Sequence, residues 1–234
     1  MEAILLGVVL TKVPLTGRDN INQTWKADIR SEEGDFQAIV KDIPERELVV
    51  ECLCAVLGRR LGLPIPRPML VEDAELGILF GSEELSHPDL KRAELSTYLM
   101  TILLSDWPRL PLATVFDEWI ANPDRHGGNL LWDGNGEFWL IDHGLALADA
   151  LPPEQKLKNY LLDFATALAD NDLKKQKLLN QLAQNIPQNT EAIQAISPLF
   201  FSDESMLQFL QKRSPMLYTL LRKTVLNHDE IPGF

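Results

Sequence analysis

The residues that could do chemistry are concentrated in one polar loop and the hairpin that follows it. Asp124, Asn129 and Asp142 are oxygen-bearing side chains placed around short apolar runs. The turn Asp133-Gly134-Asn135-Gly136 predicts a tight hairpin, because Gly and Asn tolerate the positive φ that such turns need. Its two arms would bring Asn129 and Asp142 together. Mg²⁺ prefers a few protein oxygens together with phosphate oxygens, so this pair predicts a metal ion beside a phosphate.

Asp124 supplies a further carboxylate in the same loop. The apolar helix pattern before it must end at Asn122-Pro123, because the residue before a proline is pushed out of the helical region. A carboxylate that follows at once is placed to accept or orient the proton of an attacking hydroxyl. The order of an acid, an Asn and a metal-binding acid is that of a kinase catalytic loop. The alternative is a hairpin whose polar loop only caps a helix.

A family resemblance rests on these residues. FDEWIANPDRHGGNLLW followed by LIDHG resembles the catalytic segment of HipA-like kinases, and DRHGGN is also similar to the loop of phosphatidylinositol kinases. The resemblance is dense over this stretch and looser in the N-terminal half. It implies an ATP- and Mg²⁺-dependent kinase acting on a Ser or Thr of a protein, with a toxin–antitoxin setting and a partner protein. It also implies a set of catalytic-loop positions: Asp124 as acid or base, Arg125 and His126 as supporting loop residues, and Asn129 and Asp142 as metal ligands.

A lysine and a glutamate upstream extend the kinase pattern. Phe36 to Lys41 reads as a strand that ends in a lysine, where kinases hold the α- and β-phosphates. The helix pattern that follows, Leu48 to Leu57, is apolar except for Glu51. A helix apolar nearly all round is buried, and a buried glutamate needs a partner. Lys41 is the predicted partner, and Glu47, one turn earlier, is the alternative to Glu51.

The N-terminal strands would cover the nucleotide. Ile4 to Thr11 and Gln23 to Ile29 are predicted strands, and the polar connection between them contains Gly17 and Arg18. Backbone N–H groups of such a connection can cover phosphates. Neither a GxGxxG nor a GxxxxGK[ST] motif occurs, so Gly17 and Arg18 have a phosphate role by resemblance only. A plain hairpin loop is the alternative.

The adenine ring needs a backbone segment to which it can hydrogen-bond. Gly77 to Glu83 is predicted to be a strand that runs into a turn, after an earlier strand at Met69 to Glu72. Leu79 to Glu83 is therefore the predicted hinge, and it places Phe80 and Gly81 in the cofactor-binding set. An ordinary edge strand and loop is the alternative.

The predicted fold is α+β, and the resemblance implies two lobes of a protein-kinase type. Residues 1–82 would form a small antiparallel sheet with one helix, and residues 83–234 a mainly helical lobe. The apolar run Ala3 to Leu10 predicts a buried strand. Asp117 and Glu118 are predicted on the solvated face of their helix. Further helices are predicted in six ranges: Asp89–Ser105, Glu154–Ala169, Leu173–Ile186, Thr190–Ile196, Glu204–Lys212 and Met216–Leu226.

Composition excludes several functional classes. The 234 residues carry a formal net charge of −12, which argues against nucleic-acid and anionic-membrane partners and favours a basic one. No apolar run approaches the length of a membrane span. Cys52 and Cys54 would point apart on a helix, which implies no disulfide and favours a reducing, cytoplasmic setting.

Other chemistries lack their motifs. His126 and His143 flank the acidic residues, but no HExxH pattern supports a transition-metal site, and no GxSxG supports a serine hydrolase. His126 is predicted to organise the loop by hydrogen bonding, and His143 to stand where protein kinases have the Phe of DFG. The sequence after Asp142 is too short for a long activation loop. A nucleotide-binding interaction module without turnover and a small-molecule or lipid kinase are the alternative functions.

Overall fold

Strands come first along the chain and most of the helices follow. The computed structural model describes residues 4–15, 22–149, 151–187 and 204–226. This order is the predicted α+β arrangement, with the sheet N-terminal and the helices C-terminal. One helix, α1 (Glu45–Arg60), interrupts the strands. Five strands form a closed barrel: β1 (Leu5–Pro14), β2 (Thr24–Ser31), β3 (Gly34–Lys41), β4 (Pro68–Asp73) and β5 (Gly77–Glu83).

The barrel has the strand order β1-β2-β3-β5-β4 and closes where β4 meets β1. The closing pair is parallel, with Leu5 opposite Met69, and the other four pairs are antiparallel. The prediction of an antiparallel sheet therefore holds for four pairs and was wrong for the closing one. Parallel neighbours need a long connection, and here two strands and α1 intervene between β1 and β4.

The barrel encloses its own apolar cluster, and β1 contributes only one face to it. Leu6, Val8 and Leu10 are 67%, 49% and 43% exposed. Successive side chains of a strand point to opposite faces, so an entirely apolar strand on a barrel leaves half of its side chains outside. The predicted burial of this strand was wrong for its outer face. The enclosed cluster is formed by Leu5, Ala27, Ile29, Ala38, Val40, Met69, Val71 and Leu79.

The larger core is built by α1 and the C-terminal helices. Val50 and Cys52 to Leu57 of α1 are buried and belong to this core, not to the barrel interior. Gly58 is required for the close packing, because a Cβ there would lie 2.3 Å from Ile65 Cδ1. Six helices of the described C-terminal part are α2 (Thr97–Ser105), α3 (Leu110–Trp119), α4 (Tyr160–Leu168), α5 (Asp172–Gln184), α6 (Glu204–Arg213) and α7 (Leu217–Leu226).

Two predicted helices start later than expected. The Asp89–Ser105 prediction is helical only from Thr97, because Asp89 Oδ1 accepts the backbone N–H groups of Lys91 and Arg92 in a turn. Leu90 lies in the same turn, and its N–H donates to the carbonyls of Gly127 and Leu130.

The helix predicted from Glu154 begins at Tyr160 instead. Asn159 caps it by accepting the N–H of Leu162 at 3.1 Å. The carbonyls of Pro153 and Gln155 accept hydrogen bonds from Arg213 rather than from a helical turn. The helix predicted at Thr190–Ile196 lies outside the described residues.

The predicted hairpin is present. β6 (Leu130–Trp132) and β7 (Phe138–Leu140) pair antiparallel, with Leu130 opposite Leu140. The Ile141 N–H continues the ladder by donating to the Asn129 carbonyl at 3.2 Å. Asn129 and Asp142 therefore lie at the same end of the hairpin. Among the described residues, no helix combines the length and the apolar character needed to cross a membrane.

Candidate active site

The two predicted metal ligands flank the open end of the hairpin. Asn129 ends a short 3₁₀ turn (Gly127–Asn129), is buried, and donates its side-chain N–H to the Asp124 carbonyl at 2.8 Å. This leaves the side-chain oxygen of Asn129 as an acceptor. Asp142 has a φ of 59°, a left-handed conformation that is uncommon for a residue other than glycine. Backbone strain of this kind concentrates at functional sites.

The donor set suits a hard cation. One carboxylate and one amide oxygen are the few protein ligands that Mg²⁺ takes when phosphates supply the rest. Asp142 is 35% exposed, so its carboxylate is open to a ligand. Asn129 and Asp142 would hold the ion, and its positive charge would offset the negative charge of the phosphates.

Lys41 joins the barrel to this end of the hairpin. Its ammonium contacts the Asp142 carboxylate and lies 3.9 Å from Glu51 Oε1. The structure thus contains the predicted Lys41–Glu51 ion pair. Glu47, the alternative partner, lies beside Gly144, where an added Cβ would be 3.5 Å from Glu47 Oε2.

Glu51 stays ionised although it is buried. Burial alone would raise the pKa of Glu51, but the neighbouring His143 and the charge of Lys41 outweigh it and lower that pKa to about 2. The backbone N–H of His143 donates to Glu51 Oε2 at 2.9 Å. Glu51 is therefore an anion available to hold Lys41 at neutral pH.

His143 is buried beside Glu51. Its ring packs edge-on against Phe116, with centroids 6.0 Å apart. Burial lowers the pKa of His143, so the ring is neutral. Its Nδ1 is 3.6 Å from Glu51 Oε2, and neither ring nitrogen has a hydrogen-bond partner within the described ranges.

A cleft opens between the barrel and the hairpin. Ile39 and Phe80 contribute from β3 and β5, and Leu131 and Leu140 from the hairpin. Apolar walls of this kind suit a flat aromatic base. The charged lining is mostly acidic, with one lysine against four carboxylates: Lys41, Glu51, Glu83, Glu84 and Asp142.

The predicted hinge, Leu79 to Glu83, lies within β5. β5 continues its ladder to Glu83, which pairs with Ala38. The backbone N–H groups of Glu83 and Glu84 are already bonded to the carbonyls of Arg67 and Gln37. Residues 83–87, which lead away from β5, also line the cleft. The assignment of Leu79 to Glu83 as the hinge stays a prediction.

The other predicted cofactor-binding residues have different positions. Phe80 lines the cleft. Gly81 does not line the cleft. A Cβ added at Gly81 would point to Met69 and Val71 inside the barrel, 3.2 Å from Met69 Cβ. Gly17 and Arg18 lie outside the described residues.

Comparison with known proteins identifies the family of this chain. A sequence model described as HipA-like kinase matches residues 30–228. The chain belongs to the HipA-like kinase family. No curated protein sequence matches it.

A solved structure shares the fold of this HipA-like kinase. The proinflammatory kinase CtkA of Helicobacter pylori is similar with a TM-score of 0.60 and 14% identity, over 96% of this chain and 99% of that one. HipA of Shewanella oneidensis, solved with HipB and operator DNA, has a TM-score of 0.49 and 13% identity, over 92% of this chain and 66% of that one.

The predicted catalytic loop of this HipA-like kinase rests on a buried ion pair that the sequence prediction missed. Arg125 Nε and Nη2 donate to the two carboxylate oxygens of Asp117 at 2.9 and 3.1 Å, and both side chains are 0% exposed. Asn122 Nδ2 also lies 3.3 Å from Asp117 Oδ1. The prediction that Asp117 is solvated was wrong, because a charge in a dry interior persists when it is paired and hydrogen-bonded.

Glu118, the next residue, has a different buried partner. Arg213 of α6 donates to Glu118 Oε1 at 2.9 Å, and Asn159 donates to Oε2 at 3.3 Å. Burial raises the pKa of Glu118, and Arg213 opposes that shift. The solvated-face prediction was therefore wrong for Glu118 as well.

His126 organises the loop as predicted. Its Nδ1 accepts the Gly128 N–H at 2.9 Å, so a neutral ring carries its proton on Nε2. Gly128 has no space for a side chain, because a Cβ would lie 2.8 Å from His126 Cε1. Asp124 is half-buried, and its carboxylate lies 3.5 Å from Asn129 Nδ2. The structure thus brings Asp124, His126 and Asn129 into one loop.

Proposed function

We propose that this chain is an ATP- and Mg²⁺-dependent kinase that transfers the γ-phosphate to a hydroxyl group, that of a Ser or Thr of a protein. The observation that carries the proposal is the contact of Lys41 with both Glu51 and Asp142 at the edge of the cleft. A lysine held by a helix glutamate, beside a metal-binding aspartate, is the arrangement that protein kinases use for phosphoryl transfer.

Each residue then has one role. Lys41, steadied by Glu51, holds the α- and β-phosphates. Asn129 and Asp142 hold the metal ion. Asp124 orients the acceptor hydroxyl and receives its proton, and His126 keeps the loop in shape. Positioning and charge neutralisation then lower the barrier without a covalent intermediate.

The acidic cleft supports a requirement for the metal. One lysine faces four carboxylates, so a free polyphosphate would be repelled. Mg²⁺ supplies the positive charge that this lining lacks. Apolar Ile39 and Phe80 would take the adenine ring, and the 83–87 segment would contact its edge through the backbone.

We further propose that the division into residues 1–82 and 83–234 corresponds to two lobes that bind the nucleotide between them. Gly17 and Arg18 would cover the phosphates from the first lobe, on the strength of the family resemblance. A partner protein and a toxin–antitoxin setting rest on family membership in the same way.

Phosphotransfer from γ-labelled ATP tests the proposal directly. Wild type, Asp142→Asn and Asp124→Ala are each incubated with Mg²⁺, alone and with cell extract. Label should move to the protein itself or to an extract component with wild type only, while Asp124→Ala still binds ATP. Label in lipid or in small molecules would indicate the alternative acceptor. Nucleotide binding without any transfer would favour an interaction module, and absence of ATP binding would contradict the proposal.

A further inference from the structure

Arg125 connects the two chain segments that carry the candidate metal ligands. Its Nη1 donates to the Asn129 carbonyl at 2.9 Å and to the Ile141 carbonyl at 2.6 Å. Asn129 is itself a candidate ligand, and Ile141 immediately precedes the other, Asp142. One guanidinium nitrogen therefore joins the segments that begin and end the hairpin.

Asp117 fixes that guanidinium. Its carboxylate takes the opposite edge of the Arg125 group through two hydrogen bonds, and neither side chain is exposed. A planar guanidinium held at one edge has little freedom at the other. α3, which carries Asp117, thereby sets the direction of both carbonyl contacts.

We propose that Asp117 is a positioning residue for the metal site, which acts through Arg125 to hold Asn129 and Asp142 at the separation that one cation requires. The inference rests on the proposed function and deepens it. Asp117 touches neither nucleotide nor metal in this scheme. Groups that orient metal ligands from behind commonly change metal affinity or activity by about 10- to 100-fold when they are replaced.

The adjacent residue provides a matched control. Glu118 is on the same helix, is buried and is paired with an arginine, but Arg213 contacts Pro153, Gln155 and Glu118 rather than the catalytic loop. Glu118→Gln should therefore lower stability without a specific effect on metal binding. Asp117→Asn should both lower stability and weaken metal binding.

The experiment measures metal binding separately from activity. Mn²⁺ affinity is obtained by electron paramagnetic resonance, with a non-hydrolysable ATP analogue present, for wild type, Asp117→Asn, Arg125→Lys and Glu118→Gln. The Mg²⁺ concentration for half-maximal phosphotransfer at saturating ATP is measured alongside. We expect about tenfold weaker metal binding for Asp117→Asn. Arg125→Lys should show the same defect, because an ammonium cannot reproduce the fork, and Glu118→Gln should match wild type.

Circular dichroism at the assay temperature establishes that each variant is folded, and Arg125→Lys provides a second test if Asp117→Asn does not fold. Wild-type metal affinity in a folded Asp117→Asn or Arg125→Lys would overturn the inference and leave the proposed function intact. An equal loss in Glu118→Gln would also overturn it, because a general loosening of α3 would then be the cause. Absence of Mn²⁺ binding in wild type would instead contradict the proposed function itself.

Discussion

The ammonium group of Lys41 contacts the carboxylate of Asp142, which lies 101 residues further along the chain. β3 and the end of the hairpin are thus joined by a charge pair at the cleft. Lys41→Met should reduce phosphotransfer by about 100-fold and raise the KM for ATP, because the phosphates lose their cation. Initial rates over a range of ATP concentrations measure both effects. Lys177→Met, on the exposed surface of α5, is the control and should leave both constants unchanged; a wild-type KM in Lys41→Met would contradict the assigned role.

Glu51 should make folding stability depend on acid pH. Its folded-state pKa of about 2 lies below the ordinary value of 4.5, so its stabilising contribution is present above pH 4.5 and is lost as the pH falls toward 2. The difference corresponds to about 3 kcal/mol of unfolding free energy. Urea unfolding of wild type and Glu51→Gln should show a stability gap at pH 7 that narrows below pH 4.5.

Exposed Glu45, in the first turn of α1, is the matched control. Glu45→Gln should remain close to wild type at each pH. A gap between wild type and Glu51→Gln that stays constant from pH 7 to pH 3 would show that Glu51 is not held as an anion.

The paired glycines of the predicted catalytic loop should respond differently to alanine. A Cβ at Gly128 would meet the His126 ring at 2.8 Å, whereas a Cβ at Gly127 would meet only Leu90 Cβ at 3.6 Å, an ordinary contact. Gly128→Ala should displace the ring and reduce kcat by up to about 100-fold. Gly127→Ala should retain most activity. Steady-state kinetics of the two variants check this, and equal effects would refute the steric argument.

The Glu118–Arg213 pair should show strong coupling. Arg213→Met leaves a buried glutamate and three backbone carbonyls without their donor, so a loss of about 3–5 kcal/mol in unfolding free energy is expected. The double variant Glu118→Gln, Arg213→Met should be less destabilised than the sum of the two single variants. Chemical denaturation of all four proteins gives the coupling energy, and additive losses would argue against it.

Local signals were enough to predict the hairpin and the Lys41–Glu51 pair. Asp133 to Gly136 determine the turn by backbone preference alone, and an isolated acid in an apolar helix indicates its own burial. The predicted catalytic and metal-binding roles of Asp124, Asn129 and Asp142 stay predictions, since their placement does not itself test chemistry.

Long-range partners explain the errors at α3. Asp117 and Glu118 stand between Phe116 and Trp119, and the sequence around them indicates nothing about what lies opposite. Arg213, which pairs with the buried Glu118, is 95 residues away. The late start of α4 has the same origin, because the distant Arg213 takes the carbonyls of Pro153 and Gln155. The late start of α2 is instead local, since Asp89 takes the first N–H groups in a turn.

The contact of α3 with α6 has a consequence for synthesis. The barrel's enclosed cluster draws only on residues up to Leu79, so it can form early on the ribosome. Trp119 Nε1, however, donates to the Leu210 carbonyl, and Glu118 requires Arg213. Because synthesis proceeds at roughly 5–20 residues per second, the ribosome reaches these partners about 5 to 20 s after it has made α3. The apolar surface of α3 stays uncovered by α6 during that time. We therefore expect the nascent chain to depend on holdase chaperones during that interval, well after the barrel has folded.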